Sequence, residues 1–144
     1  MKKQNAGFTL LEILVVVMII AILATIVGVK VIPSLGKAKR AAAFAQIVNM
    51  KSALKQYRLD TGVYPTQEQG LFALCEIPTR PPVPAKYQDG GYLDSRKVPV
   101  DPWNRDYIYL VPGPTGEPFL IISYGSDGEP GGEGEDADIS SADQ

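Results

Sequence analysis

The chain has 144 residues, enough for one small domain and a long apolar segment. Its net charge is −2, but acidic and basic residues are unevenly distributed along the chain. Residues 125–144 carry seven acidic side chains and no Lys or Arg, whereas residues 1–124 carry 14 basic and nine acidic ones. Histidine is absent, and the single Cys75 excludes an intrachain disulfide. The sequence has no nucleophile elbow, phosphate-binding loop or basic–aromatic pattern, so we expect neither an enzyme nor a nucleic-acid-binding protein.

The N-terminal segment joins two lysines to the hexapeptide GFTLLE at positions 7–12 and then to a predominantly apolar run at 13–29. About 20 such residues cross a bilayer as a helix, so the run predicts a transmembrane or filament-core helix over residues 8–32. Glu12 is the anomaly, because an ionisable group inside a membrane helix costs about 2.5–3.5 kcal/mol on insertion scales. Thr9 and Glu12 also fit a helix-capping box, so a local role for Glu12 is expected as well.

Three interpretations of this segment compete. It is a secretory signal peptide cleaved after a small residue such as Ala24, a plain signal anchor in which Glu12 only caps the helix, or a specialised N-terminus. We favour the third, because the hexapeptide and its apolar run resemble the N-terminus of type IV pilin-like proteins. That resemblance implies a leader over residues 1–7, cleavage after Gly7 by a prepilin peptidase and methylation of Phe8. It further implies that Glu12 pairs with the terminal amine of a neighbouring subunit during filament assembly.

Helical periodicity continues past the apolar run and predicts one long helix from Phe8 to Asp60. Pro33 is expected to kink this helix, and Lys30 interrupts its apolar surface. Gly62 and Pro65 mark its end. The expected core-facing residues of its second half recur at three- and four-residue spacing: Leu35, Ala38, Ala42, Ala45, Val48, Ala53, Leu54 and Tyr57.

The following segment contains a second capping box, formed by Thr66 and Gln69, and predicts a short helix over residues 67–75. Its inward-facing residues are expected to be Leu71, Leu74 and Cys75. The sequence YPTQEQGLFAL at 64–74 is similar to that of the major pseudopilins of type II secretion, protein G of the general secretion pathway. The proline-rich stretch 77–102 reads as an irregular loop, in which GGYL at 90–93 and DPW at 101–103 also match this family. We expect Tyr92 and Trp103 to pin this loop to the core.

Two strands are predicted after the loop, over residues 107–111 and 119–124, joined by a turn at 112–116. A small antiparallel sheet of this kind covers one face of an amphipathic helix and closes a core. We therefore predict an α+β, pilin-like fold, in which the second half of the long N-terminal helix packs on the sheet and a C-terminal metal-binding loop follows it.

The acidic, glycine-rich stretch at 125–139 has two interpretations on composition alone. It is either a solvated tail or a site in which carboxylates converge on a hard cation such as calcium. The resemblance favours calcium, because the family places a calcium site in this loop. It implies Asp127, Asp136 and Asp138 as side-chain ligands, with Tyr124 and Glu133 contributing backbone oxygens.

The resemblance implies a structural function. The subunit polymerises with itself into the periplasmic pseudopilus that drives export of folded proteins across the outer membrane. Its implied partners are minor pseudopilins, the inner-membrane assembly platform and prepilin peptidase. The implied location is the inner membrane, crossed once, with a globular domain over residues 33–139 in the periplasm and a frayed end at 140–144. The alternatives are a type IV pilin, a minor pseudopilin, or a membrane-anchored calcium-binding module that does not polymerise.

Overall fold

The computed structural model describes residues 8–143, apart from the side chains of residues 26–34. The expected leader at 1–7, including Gly7, lies outside the described residues, and so do the side chains of Lys30 and Pro33. Two compact units are present, Met1–Gly36 and Lys37–Gln144. The elements in chain order are helix α1 (Leu10–Thr61), a 3₁₀ helix (Leu71–Leu74) and strands β1 (Ile108–Leu110), β2 (Leu120–Ser123) and β3 (Ile139–Ser140).

The described part of the first unit is the beginning of α1. The backbone N–H of Glu12 donates to Thr9 Oγ1 at 3.2 Å, which confirms the Thr9 half of the predicted capping box. Across the described residues, the structure contains no helix that combines the length and the apolar character needed to cross a membrane. The predicted span over 8–32 includes side chains outside the described residues and stays a prediction.

In the second unit, α1 buries one face, but the predicted face is wrong in its first half. The predicted core residues of that half are all exposed: Leu35, Ala38, Ala42, Ala45 and Val48. The buried residues are Ala43, Ile47, Met50, Ala53, Leu54 and Tyr57. This face places the larger Ile47 and Met50 side chains in the core, where they bury more apolar area than alanines do.

The sheet supplies the other side of the core. Strands β1 and β2 pair antiparallel with Tyr109 opposite Ile121, which confirms the predicted hairpin. The strands contribute Tyr109, Ile121 and Ile139 to the hydrophobic core, and the residues next to their ends contribute Tyr107 and Phe119. Strand β3, which was not predicted, pairs antiparallel with β2 on its other edge.

The segment at 66–75 is only partly helical. The capping box forms, because Thr66 N–H donates to Gln69 Oε1 at 3.0 Å and Gln69 N–H donates to Thr66 Oγ1 at 3.3 Å. The predicted short helix over 67–75 is wrong in extent: a turn is followed by the four-residue 3₁₀ helix. The reason is Gly70, whose φ of +59° interrupts a right-handed helix. Leu71, Leu74 and Cys75 are buried as predicted.

The predicted fraying of residues 140–144 is wrong for the first two. Ser140 belongs to β3, and Ser141 is buried. Ser141 N–H donates to the Ile121 carbonyl at 2.9 Å, and its Oγ accepts from Ile121 N–H at 3.0 Å. Lys51 on α1 also donates to the Ser141 carbonyl at 3.0 Å. These contacts fix the end of the chain to the edge of the sheet.

Candidate functional site

The first candidate region is the N-terminal surface of α1. Phe8 is 79% exposed, and Glu12 lies exposed in the first turn of the helix. The large apolar residues of this surface are all exposed: Leu10, Leu11, Ile13, Leu14, Val15, Val16, Val17, Met18, Ile19, Ile20, Ile22 and Leu23. A continuous apolar surface of this extent is typical of a region that another helix or a lipid phase covers.

The second candidate region is the acidic loop, residues 125–138, between β2 and β3. Because β2 and β3 are antiparallel neighbours, the two arms of the loop begin side by side. Ser126 N–H donates to the Glu135 carbonyl at 3.1 Å. Gly125 has φ +64°, and a Cβ atom there would lie 2.8 Å from the Asp136 carbonyl oxygen. The two arms are therefore in direct contact, and glycine at 125 permits that contact.

Two of the predicted calcium ligands accept hydrogen bonds within the loop. Asp127 Oδ1 accepts from Glu129 N–H at 3.1 Å. Both carboxylate oxygens of Asp138 lie 3.1 Å from Gly131 N. Asp127 thus closes a local turn, whereas Asp138 bonds to a residue seven positions earlier in the loop.

The other predicted ligands belong to the same loop and to its entry. The Tyr124 carbonyl accepts from Gly128 N–H at 3.3 Å, and the Glu133 carbonyl accepts from Asp136 N–H at 3.2 Å. Within residues 8–143, no three acidic or cysteine side chains come together in a group that could hold a metal ion. The donor chemistry nevertheless suits calcium, since the loop offers carboxylate and carbonyl oxygens and contains no Lys or Arg.

Two arginines reach the loop from other parts of the second unit. Arg105 donates from Nη1 to the Gly125 carbonyl at 2.8 Å and from Nη2 to the Ser126 carbonyl at 2.9 Å. Arg40 on α1 donates to the carbonyl of Ala137. Neither contact is predictable from the sequence, because a backbone carbonyl acceptor has no side-chain signature.

A buried carboxylate lies beside the start of the loop. Asp101 is 4% exposed, and its Oδ1 accepts from the backbone N–H groups of Trp103, at 3.0 Å, and Arg105, at 2.9 Å. Its Oδ2 accepts from the Ser123 hydroxyl on β2 at 2.7 Å. Burial, together with the nearby Asp101 charge, raises the pKa of Tyr107. Asp101 therefore ties the segment that carries Arg105 to the strand that leads into the acidic loop.

These features define a class of protein: a pilin-like subunit, with an exposed apolar N-terminal helical segment and a second half of the helix packed on a small antiparallel sheet. The comparisons agree. Residues 2–28 match the prokaryotic N-terminal methylation motif, and residues 30–142 match the family described as type II secretion system protein G. The chain belongs to the type II secretion system protein G family.

Individual relatives support this assignment. The chain is 47% identical to the type II secretion system core protein G of Vibrio cholerae, over 96% of this chain and 92% of that protein. It is 46% identical to the core protein G of Pseudomonas aeruginosa, over 96% and 95% respectively. It also resembles the crystal structure of the major pseudopilin of enterohaemorrhagic Escherichia coli, with 39% identity and a TM-score of 0.66, over 79% of this chain and 95% of that one. The predicted family and fold class are confirmed.

Proposed function

We propose that this chain is the major structural subunit of a type II secretion pseudopilus and polymerises through the N-terminal part of α1. The observation that carries the proposal is the exposed apolar surface of residues 8–23 in a chain of this family. Such a surface is stable in water only when lipid or neighbouring helices cover it. Head-to-tail contacts that repeat without closing produce a filament.

Phe8 and Glu12 have complementary roles in this assembly. Cleavage after Gly7 leaves an ammonium group at Phe8, and Glu12 carries an exposed carboxylate one helical turn away. Both charges are costly in apolar surroundings, and pairing them between neighbouring subunits offsets that cost. Thr9 Oγ1 already accepts the backbone N–H of Glu12, so the helix start does not require the Glu12 carboxylate as its cap.

Prepilin peptidase, the minor pseudopilins and the inner-membrane assembly platform are the partners in this proposal. Before assembly, the apolar segment holds the chain in the inner membrane, with the unit from Lys37 onward in the periplasm. After assembly, the helices form the filament core, and growth of the filament drives export of folded proteins across the outer membrane.

Intact mass and N-terminal sequencing of the chain from its own membranes test the processing step. We expect a chain that starts at Phe8 and carries one added methyl group. Glu12→Gln, which keeps the shape but removes the charge, should abolish filaments in membranes while the chain is still processed. Glu68→Gln, at an exposed site outside α1, is the matched control. A chain that retains residues 1–7, or filaments of normal yield from Glu12→Gln, would contradict the proposal.

We also propose that the acidic loop binds calcium. Asp127 and Asp138 are the strongest ligand candidates, Asp136 is the next, and the carbonyls of Tyr124 and Glu133 complete the set. Six carboxylates at 125–138 repel one another in a stretch with no Lys or Arg. A bound calcium ion adds its positive charge to that of Arg40 and Arg105, offsets this repulsion and further stabilises the contact between the two arms of the loop.

Calcium titration of the full chain in detergent tests this second proposal. We expect Asp127→Ala and Asp138→Ala to weaken binding and to reduce the rise in melting temperature that calcium produces. A ligand at 100 times its Kd stabilises a fold by about 2.7 kcal/mol, so the effect is measurable. Glu129→Ala, in the same loop, controls for loss of acidic charge alone. If calcium raises the melting temperature of both aspartate variants as much as that of the wild type, Asp127 and Asp138 are not calcium ligands.

A further inference from the structure

The acidic loop is contacted by a positively charged side chain from outside the loop, Arg105. The guanidinium of Arg105 spans two successive carbonyls, those of Gly125 and Ser126, at 2.8 and 2.9 Å. Gly128 passes directly over it, since a Cβ atom at that position would lie 2.6 Å from Arg105 Cζ. A planar group with several N–H donors can hold two acceptors at once, which an ammonium group does less well. The exposed Arg105 side chain thus lies against the first arm of the loop, residues 125–128.

The base of the Arg105 side chain is also fixed. Its backbone N–H donates to Asp101 Oδ1 at 2.9 Å, and its carbonyl accepts from Asp101 N–H at 2.8 Å. Asp101 in turn accepts from Ser123 at 2.7 Å on β2, which leads into the loop. The backbone of Arg105 is therefore tied, through Asp101, to the strand from which the first arm departs.

We propose that Arg105 is a positioning residue, which keeps the first arm folded in the metal-free chain and so presents Asp127 for cation binding. The part that concerns Asp127 rests on the calcium site proposed above. Arg105 has two opposing effects on the affinity of the loop for calcium. Its charge disfavours a second cation nearby, whereas its two hydrogen bonds organise the loop before the ion arrives. We expect the organising effect to be the larger one, because both hydrogen bonds hold the loop backbone in one conformation and so lower the cost of ordering it when the ion binds.

Backbone amide exchange, measured on the full chain in detergent with a calcium chelator, tests the metal-free part. Ser126 N–H donates to Glu135 and Gly128 N–H donates to Tyr124, so both amides report the folded first arm. We expect Arg105→Gln to accelerate their exchange about tenfold or more, because two charge-assisted hydrogen bonds are lost. Arg105→Lys keeps the charge but loses the planar guanidinium that binds both carbonyls. It should also accelerate the exchange of these two amides, but by less.

Matched controls separate this effect from general unfolding. Arg96→Gln changes an exposed arginine elsewhere and should leave the exchange of Ser126 and Gly128 unchanged. The Tyr92 amide, which donates to the Leu74 carbonyl at 2.7 Å, should exchange at the wild-type rate in every variant. Unchanged exchange of the two loop amides in Arg105→Gln overturns the proposal.

Calcium titration of the same variants tests the second part. We expect Arg105→Gln to bind calcium about three- to tenfold more weakly than the wild type, and Arg105→Lys to fall between them. Tighter calcium binding by Arg105→Gln with unchanged exchange would show that Arg105 acts only through its charge, which refutes a positioning role. A wild-type chain that binds no calcium removes the calcium site and the role toward Asp127, whereas the exchange measurement still decides whether Arg105 holds the arm.

Discussion

Replacing Asp101 should destabilise the second unit more than replacing any exposed carboxylate. The side chain is 4% exposed and accepts three hydrogen bonds, from Trp103 N–H, Arg105 N–H and the Ser123 hydroxyl. Asp101→Ala removes all three acceptor contacts and leaves the Ser123 hydroxyl in a site that is only 1% exposed. Asp101→Asn keeps the volume and one oxygen acceptor.

The size of the effect follows from these contacts. A hydrogen bond to a charged group contributes about 1.5–3 kcal/mol, and a buried donor left without a partner costs about 1–3 kcal/mol. Because the two backbone N–H groups can gain water while Ser123 cannot, we expect Asp101→Ala to lower the free energy of unfolding by about 3–5 kcal/mol. Asp101→Asn should lower it by about 1–2 kcal/mol, since Oδ1 can still accept both N–H groups.

Urea unfolding of the full chain in detergent, followed by the fluorescence of its single tryptophan, Trp103, measures these values near the site. A double-mutant cycle with Ser123→Ala isolates the buried pair, for which we expect a coupling energy of about 1.5–3 kcal/mol. Asp94→Ala, at an exposed position, is the control. A loss below about 1 kcal/mol for Asp101→Ala would refute the reasoning, because that value is typical of an exposed hydrogen bond.

Three further changes test the core and its loops. Gly91→Ala should lower the melting temperature far more than Gly90→Ala: both positions have φ near +87°, but only at Gly91 would a Cβ atom lie 2.7 Å from the Leu74 carbonyl oxygen. Gln69→Leu should cost about 2–4 kcal/mol in urea unfolding, because the Gln69 side chain accepts from Thr66 N–H and donates to two carbonyls in the proline-rich loop. Burial raises the pKa of Tyr87 to about 12 in the fold. The stabilising contribution of the neutral hydroxyl is therefore present below pH 10 and is lost as the pH rises toward 12. Tyr87→Phe should make the melting temperature fall less steeply over that pH range.

Each of these predictions has an outcome that contradicts it. Equal melting temperatures for the two glycine variants would show that left-handed backbone strain, and not the close contact, determines the effect. For Gln69→Leu, a loss no greater than that of Glu68→Ala would mean that the side chain does not hold the loop. For Tyr87, the prediction is contradicted if the melting temperature of Tyr87→Phe falls with pH as steeply as that of the wild type.

Much of the fold follows from local patterns in the sequence. The long helix, its Thr9 cap, the second capping box and the β1–β2 hairpin each have a short-range signal, and each is present in the structure. The buried face of α1 was harder to predict, since alanines at 38, 41, 42, 43 and 45 occupy several faces and give little contrast in hydrophobicity. Strand β3 has only two residues, too few for an alternating pattern to be recognised.

The contacts at the candidate site were less predictable. Arg40 and Ala137 are 97 residues apart in the chain, and the acceptor is a backbone carbonyl that every residue type carries. Arg105 is comparable, since neither of its carbonyl partners is marked by a special side chain. The sequence located the carboxylates of the acidic loop, but their arrangement depends on glycine conformations and on these arginine contacts. A list of acidic residues therefore predicts the chemistry of the loop and not its shape.

The two parts of α1 obey different physical requirements, although one helix contains both. From Ala43 to Tyr57, apolar residues follow a single face because the sheet and the 3₁₀ helix cover only that face. From Leu10 to Leu23, apolar residues are exposed on every side, so the fold of one chain does not account for their identity. Only surroundings that cover the whole circumference, such as lipid or a bundle of identical helices, account for this pattern. The pairing proposed above for Glu12 fits such surroundings, because a carboxylate there is costly unless a cation, such as a neighbouring N-terminus, offsets its charge.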